Sequence, residues 1–442
     1  MSYEVSKYPV DKLDPNADIQ PGFAFKSERF TDNTDDIPLV KGENVHQGYV
    51  DWIGAKHWPA DEYDSLSKYH LIPGDIVLAM DRPWVTAGLK WSFIKPHDPS
   101  SLLVQRVARI RAKEKLDQHY LRHVISSNYF ANYLQPIVTG VNVPHISGKQ
   151  IGAFRIPIPK PKVQRKIAAI LTAYDDLIET NKRRIGLLEK MAEELYREWF
   201  VRMRFPGHVH AKFVKGVPDG WPFDLGTSFF DHVKGKSYSS PEISDEEGAC
   251  FFITLKSFHR RGGYRKDGLK HYSGSYKDDQ CVEAGDVVMA VTDMTQDRAI
   301  VGEVARIPRL PGKKAVISLD VMRLIPKEMP TTFLYAYMRH SGFANYIKEF
   351  ANGANVLHLK PDLVGKQRLL FPPKGLREQF SELADPIYQE VDALEDANAV
   401  LTQTRDLLLP RLISGKLSVE DLDIQFPPSM QEEASEPEPV HA

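Results

Sequence analysis

Phe130-Ala131-Asn132-Tyr133 recurs as Phe343-Ala344-Asn345-Tyr346, 213 positions later. At the same spacing Gly140-Val141-Asn142-Val143-Pro144-His145 recurs as Gly353-Ala354-Asn355-Val356-Leu357-His358. Gly152, Arg155 and Pro159 then match Gly365, Arg368 and Pro372 without a gap. Upstream, Gly74-Asp75 and Gly285-Asp286 each precede a short apolar run of strand length, 211 positions apart. Matches in one register over this span indicate a duplication. Each copy reads in the same order: strand-like runs broken by Gly, Pro and Asp turns, a short helix, a Gly-Asn loop, a proline-terminated strand and a long helix.

The long helices follow from spacing. Ile167, Leu171, Tyr174, Ile178, Asn181, Ile185, Leu188, Ala192, Leu195 and Trp199 step by four and three, a heptad seam with one Asn that sets register at a cost in stability. The pattern predicts a helix over 163–203. A second helix is predicted over 376–413, with one clean row (Phe380, Ile387, Leu394, Leu401, Leu408) and one poor row (Leu376, Leu383, Glu390, Ala397, Thr404). Eleven basic residues face seven acidic ones over 160–204, against five and eight over 374–416. Packing the two helices together would satisfy both apolar rows and both charge excesses; the competing arrangement packs each on its own globular unit.

The expected fold class is therefore α+β: two tandem mixed α/β units, each followed by a long helix. The segments are 1–160, 161–205, 206–373 and 374–416. An acidic tail, expected to be disordered, fills 417–442, where seven acids and no Lys or Arg occur.

Composition narrows the function. The 442 residues carry a net charge of −2, 42 % hydrophobic and 26 % charged residues, in the range of soluble globular proteins. No apolar run has membrane-spanning length, and the N-terminus lacks a secretory pattern. Cys250 and Cys281, the only cysteines, supply neither a disulfide framework nor a four-cysteine zinc site, and point to the cytoplasm. The near-neutral total hides a basic stretch, with Lys256, Arg260, Arg261, Arg265, Lys266, Lys270 and Lys277 close together.

The order of elements resembles the specificity subunit of type I restriction–modification systems. The resemblance covers nearly the whole chain. It rests on the repeat, on Pro218-Asp219-Gly220-Trp221 opening the second unit, on Gln164 and Gln379 at the helix starts, and on the 408–416 string Leu-Leu-Pro-Arg-Leu-Ile-Ser-Gly-Lys. The first unit lacks a matching Gly-Trp opening. The resemblance implies two target recognition domains, each reading half of a bipartite site in double-stranded DNA. It implies that the long helices form an antiparallel coiled-coil spacer that docks adenine-methylating modification subunits, two of them, with a restriction subunit completing the nuclease. S-adenosylmethionine, ATP and Mg2+ would belong to those partners, with no cofactor on this chain.

Motifs for chemistry in the chain itself are missing. Gly235-Lys236-Ser237 ends like a phosphate loop, but the glycine required five positions earlier is Phe230. Neither an Asn-Pro-Pro-Tyr nor an Asp-Pro-Pro-Tyr string is present. His145 and His358, equivalents in the two copies, read as supports of the same loop rather than catalysts. A non-catalytic subunit is the favoured reading. A duplicated coiled-coil adaptor that binds only proteins, and a self-sufficient DNA methyltransferase, are the competitors.

Candidate DNA contacts follow from side-chain chemistry, because Lys and Arg hold phosphates and Arg, Lys, Asn and Gln read base edges. In the second unit they are Lys256, Arg260, Arg261, Tyr264, Arg265 and Lys270, on a Gly-bearing loop. In the first they are Lys41, Asn44, Gln47, Lys56, His57 and Arg82, with Tyr49, Trp84 and Lys90 beside them. Asn142 and Asn355 recur in both copies and so suit a structural turn better.

Overall fold

The structure, a computed structural model, describes residues 6–85, 88–137, 144–244, 248–310 and 312–431. It divides into two compact units: Met1–Thr180 with Asn398–Ala442, and Asn181–Ala397. This differs from the five segments expected from sequence. Each unit takes one globular body, half of the central helix and half of the C-terminal helix. The reason is physical: a heptad seam is buried only against a partner, so each half-helix belongs to the body and the half-helix it packs on.

In the first unit Ala17–Pro21, Val107–Ala112, Ile76–Ala79 and Trp91–Phe93 form an antiparallel sheet in that order. A second sheet runs His57–Trp58, Ile37–Val40, Ser101–Leu103, His70–Leu71, with Ile37–Val40 parallel to Ser101–Leu103. Val10–Lys12 pairs with Arg155–Pro157. Ile76–Ala79 is buried at every position, which is why its sequence is continuously apolar.

The second unit repeats this plan. Phe230–Lys234, Val321–Pro326, Val287–Ala290 and Val304–Arg306 form the first sheet. The second adds a strand: Ile243–Ser244, Lys270–Tyr272, Cys250–Ile253, Ala315–Ile317, Cys281–Val282, again with one parallel pair. Phe223–Leu225 pairs with Arg368–Leu370.

The duplication extends to single atoms. A Cβ on Gly22 would lie 2.2 Å from the Val104 carbonyl oxygen, and one on Gly235 would lie 2.0 Å from that of Ser318. Only glycine lets these backbones approach so closely. Close approach, not a phosphate, accounts for the glycine of Gly235-Lys236-Ser237. Arg111 Nη2 donates to Asp75 at 2.8 Å, and Arg323 Nη2 to Asp286 at 2.9 Å. The missing opening of the first unit is Tyr8-Pro9. The Pro9 carbonyl accepts the Ile158 amide at 2.7 Å, as the Pro222 carbonyl accepts that of Phe371 at 3.0 Å. Tyr8 therefore stands where Trp221 stands, a different aromatic filling the same place.

The central helix spans Pro161–Tyr196 and ends in a π-helical turn, Arg197–Val201. The C-terminal helix spans Lys374–Ile413. In the first unit Arg405 of one reaches Asp175 of the other at 2.7 Å, and in the second Arg184 reaches Glu390 at 2.8 Å. Within the second unit, Arg184 pairs with Glu390 and Tyr196 with Phe380, so partners rise on one helix as they fall on the other, which defines antiparallel pairing there. The clean row holds, with Phe380 and Leu394 buried. Of the poor row Leu376 packs on the second unit's core, but Leu383 is 52 % exposed and Glu390 and Ala397 are exposed, with Ala384, Tyr388 and Val391 buried instead. In the second unit Tyr196, Trp199 and Phe200 pack edge-to-face on Phe380, and these geometries add to the burial of large rings.

Gln164 is buried and ties the start of the central helix, accepting from the Asp117 amide and donating to the Lys115 and Pro159 carbonyls. Gln379 is exposed. The tail also departs from expectation. Residues 417–431 pack on the first unit, with Val419 and Met430 in its core and Lys166 Nζ donating to the Glu420 and Leu422 carbonyls. Apolar Val419, Ile424, Phe426 and Met430 drive this packing despite the acidic composition. Residues 432–442 lie outside the described residues. No helix among the described residues is long and apolar enough to cross a membrane.

Candidate nucleic-acid interface

Three loops converge on one edge of the second unit. The first follows Cys250–Ile253. Its turn closes on itself, with the His259 amide bonded to the Gly263 carbonyl and the Gly262 amide to that of His259, each at 3.0 Å. Gly262 and Gly263 both have positive φ, and a Cβ on Gly263 would lie 2.6 Å from Arg339 Nη1. His259, Arg260 and Arg261 stand exposed on this turn.

The second loop, residues 293–301, lies beside it. The Gly263 amide bonds the Val304 carbonyl at 2.8 Å, and Arg260 faces Asp297 at 3.9 Å. Asp293 is 1 % exposed and holds the loop at both ends. Its Oδ1 accepts the Thr295 amide and hydroxyl at 2.9 and 2.7 Å; its Oδ2 accepts the Ile300 and Val301 amides at 2.7 and 3.1 Å. Burial alone would raise this carboxyl, but the donors outweigh it and hold it below its usual value.

The third is the Gly-Asn loop. Thr292 pairs with His358, Asp293 with Leu357, and Gln296 Nε2 donates to the Ala354 carbonyl at 3.0 Å. Asn352 and Asn355 are exposed there. The edge thus presents Arg, His, Gln and Asn, the donors and acceptors that meet phosphates and base edges.

The first unit builds the same edge from different side chains. The Asn44 amide group closes the turn after Ile37–Val40, and Gln47 and Tyr49 project from the following hairpin, with His46 stacked on Tyr49 at 4.9 Å. The Gly48 amide bonds the Trp91 carbonyl, joining this loop to the strand Trp91–Phe93. Asp81, in the place of Thr292, ties the loops here: it pairs with His145 Nδ1 at 2.5 Å and Arg106 at 2.7 Å, and the Arg82 amide bonds the Pro144 carbonyl. Asn142 lies outside the described residues.

Several residues singled out on sequence sit elsewhere. Asn44 is 8 % exposed and spends its side chain on Lys41 and Leu39. Tyr264 packs against the apolar cluster around Phe258, where burial pushes its hydroxyl well up. His57 lies within a strand, paired with Pro38 and Thr31. Lys41 is held by Glu43 and Lys56 by Asp32. Lys90 is buried, its ammonium donating to the Gly42 carbonyl, and burial lowers its pKa. Trp84 is half-buried against the first unit's core. Lys256 is exposed, whereas Arg265 and Lys270 are half-buried, Lys270 within a strand. Arg82, Arg260 and Arg261 remain exposed on the converging loops. Gln296 and Met294 were missed. Loops carry no period, and only the buried Asp293 betrays that this one is held.

Residues 17–190 match the family model described as the type I restriction modification DNA specificity domain. Over 338 residues, 72 % of this chain and 73 % of the relative, the sequence is 27 % identical to the type I restriction enzyme MjaIX specificity subunit of Methanocaldococcus jannaschii. It is 31 % identical to the MjaVIII specificity subunit of the same organism over 197 residues, 43 % of this chain and 46 % of that protein. The type I restriction-modification system S subunit from M. genitalium superposes with a TM-score of 0.53 at 15 % identity, covering 93 % of this chain and 97 % of that one, a likeness of fold.

Proposed function

Because the chain belongs to the type I restriction–modification specificity-subunit family, we propose that each of its two units reads one half of a bipartite site in double-stranded DNA. The carrying observation is one scaffold with two different crests. Gly22 and Gly235, and the Asp75–Arg111 and Asp286–Arg323 pairs, repeat in place. The converging loops do not: one edge carries Gln47, Tyr49, Arg82 and His145, the other His259, Arg260, Arg261 and Gln296. A common frame with divergent polar crests suits two readers of different half-sites.

In this reading the chain is not catalytic. It directs adenine methylation by two modification subunits and cleavage by a restriction subunit, which bind S-adenosylmethionine, ATP and Mg2+. Exposed apolar residues on the long helices, Leu187, Met191 and Leu383 in the second unit and Leu177, Val400 and Leu407 in the first, offer surface for such partners to cover.

The test is methylation of genomic DNA by the purified chain, by a modification subunit and by the two together. Only the mixture should methylate, at adenines within a split sequence. Methylation at the same sites by the modification subunit alone, or a mixture with no DNA affinity, would remove the reading role and favour an adaptor that binds only proteins.

A further inference from the structure

Met294, next to the carboxylate that fixes residues 293–301, is 69 % exposed. A single exposed apolar residue is ordinary on a protein surface and carries no meaning alone. Two other observations set this one apart. The loop is closed by four hydrogen bonds to Asp293, which tie its start at Thr295 and its end at Ile300 and Val301 to one carboxylate. The adjoining turn exposes Arg260 and Arg261, whose charges attract a polyanion. An apolar side chain held among cations suits an apolar group displayed on a polyanion. Duplex DNA offers one at its base edges, the C5-methyl of thymine in the major groove.

Resting on the proposed reading of DNA by this edge, we propose that Met294 discriminates thymine at one position of the second unit's half-site by contact with its C5-methyl group. Asp293 acts as a positioning residue, and the neighbouring arginines hold phosphates. The corresponding loop of the first unit also raises an apolar residue, Val85, 43 % exposed in the short hairpin Trp84–Val85 with Gly88–Leu89. The chemistry therefore fits the loop's place in the scaffold.

The test removes the methyl from the DNA and the thioether from the protein separately. The target is first read from adenines methylated by the complex of this chain with its modification subunit. Duplexes are then prepared in which each thymine of the target is replaced, one at a time, by deoxyuridine. For the unaltered complex, one replacement in one half-site should weaken binding about fourfold, the value of one buried methyl. In the Met294→Ala complex that sensitivity should disappear, while the preference for the other half-site stays intact and reports a folded protein. Indifference of the unaltered complex to every replacement, or full sensitivity retained by Met294→Ala, overturns the assignment. A complex that binds target and random duplexes equally overturns instead the DNA reading beneath it.

Discussion

Arg405 Nη1 donates to Asp175 Oδ1 at 2.7 Å, joining the C-terminal helix to the central helix across 230 positions of sequence. Arg122 Nη2 takes the other oxygen at 2.7 Å. Burial alone would raise the Asp175 carboxyl, but the surrounding positive charge prevails and holds it below its usual value. Removing one partner leaves a poorly solvated charge behind. Full burial would make that cost about 3–5 kcal/mol; at 27 % exposure for both side chains, about 1–3 kcal/mol is expected for Arg405→Ala. Urea unfolding of the single variants and of Arg405→Ala with Asp175→Asn gives the coupling, and additive losses would rule the pairing out as a stabilising element. The depressed carboxyl makes this contribution present above the unfolded value of about 3.9 and lost as pH falls through the folded one.

Each unit also holds a neutral histidine, buried His123 in the first and half-buried His340 in the second. Burial, with nearby arginine charge, pushes His123 of the first unit and His340 of the second down to about 3. The unfolded chain takes up protons near pH 6.5 that the folded chain refuses. Stability should therefore fall from about pH 6.5 towards 3, by up to about 1.4 kcal/mol per pH unit for each histidine. His123→Gln retains a polar group towards Thr172, the present partner at 3.0 Å, and should flatten this slope for the first unit. Denaturant midpoints measured between pH 5 and 7 decide it; an unchanged slope in the variant counts against the buried neutral state.

Glycine at the seam between the two sheets should be irreplaceable in both copies. An added Cβ at Gly22 or Gly235 meets a backbone carbonyl, which cannot turn aside as a side chain would. Gly22→Ala and Gly235→Ala should each cost about 3 kcal/mol. Gly42→Ala, where an added Cβ meets nothing within 4 Å, is the control and should stay within about 0.5 kcal/mol. Thermal unfolding of the three variants is the measurement, and equal melting temperatures would contradict the close approach.

Arg260 and Arg261 are exposed, and on the proposed reading of DNA by the second unit's edge they hold phosphates. Their joint replacement by Ala should weaken binding to every sequence alike, as lost phosphate contacts do. The slope of log affinity against log salt should become shallower by about 0.9 for each contact removed. A salt titration of the DNA complex reads this directly. A changed target sequence with an unchanged slope would instead make these arginines base readers.

Much was legible in the sequence because it is local or periodic. The duplication is written in Phe130–Tyr133 and its copy, the helices in their heptad spacing, and the buried strands at Ile76–Ala79 and Val287–Ala290 in short apolar runs. Tertiary structure alone decided what depends on distant contacts. It assigned residues 398–431 to the first unit, put Tyr8-Pro9 in the place of Trp221-Pro222, and turned Ala384 and Val391 inward instead of Leu383 and Glu390. It also withdrew Asn44 and Tyr264 from the surface and brought three loops to one edge around Asp293. A loop residue's direction has no period to read, and the partner that fixes it can lie hundreds of residues away. Composition and spacing therefore determined the two-fold plan of this chain, while packing chose which side chains the plan presents.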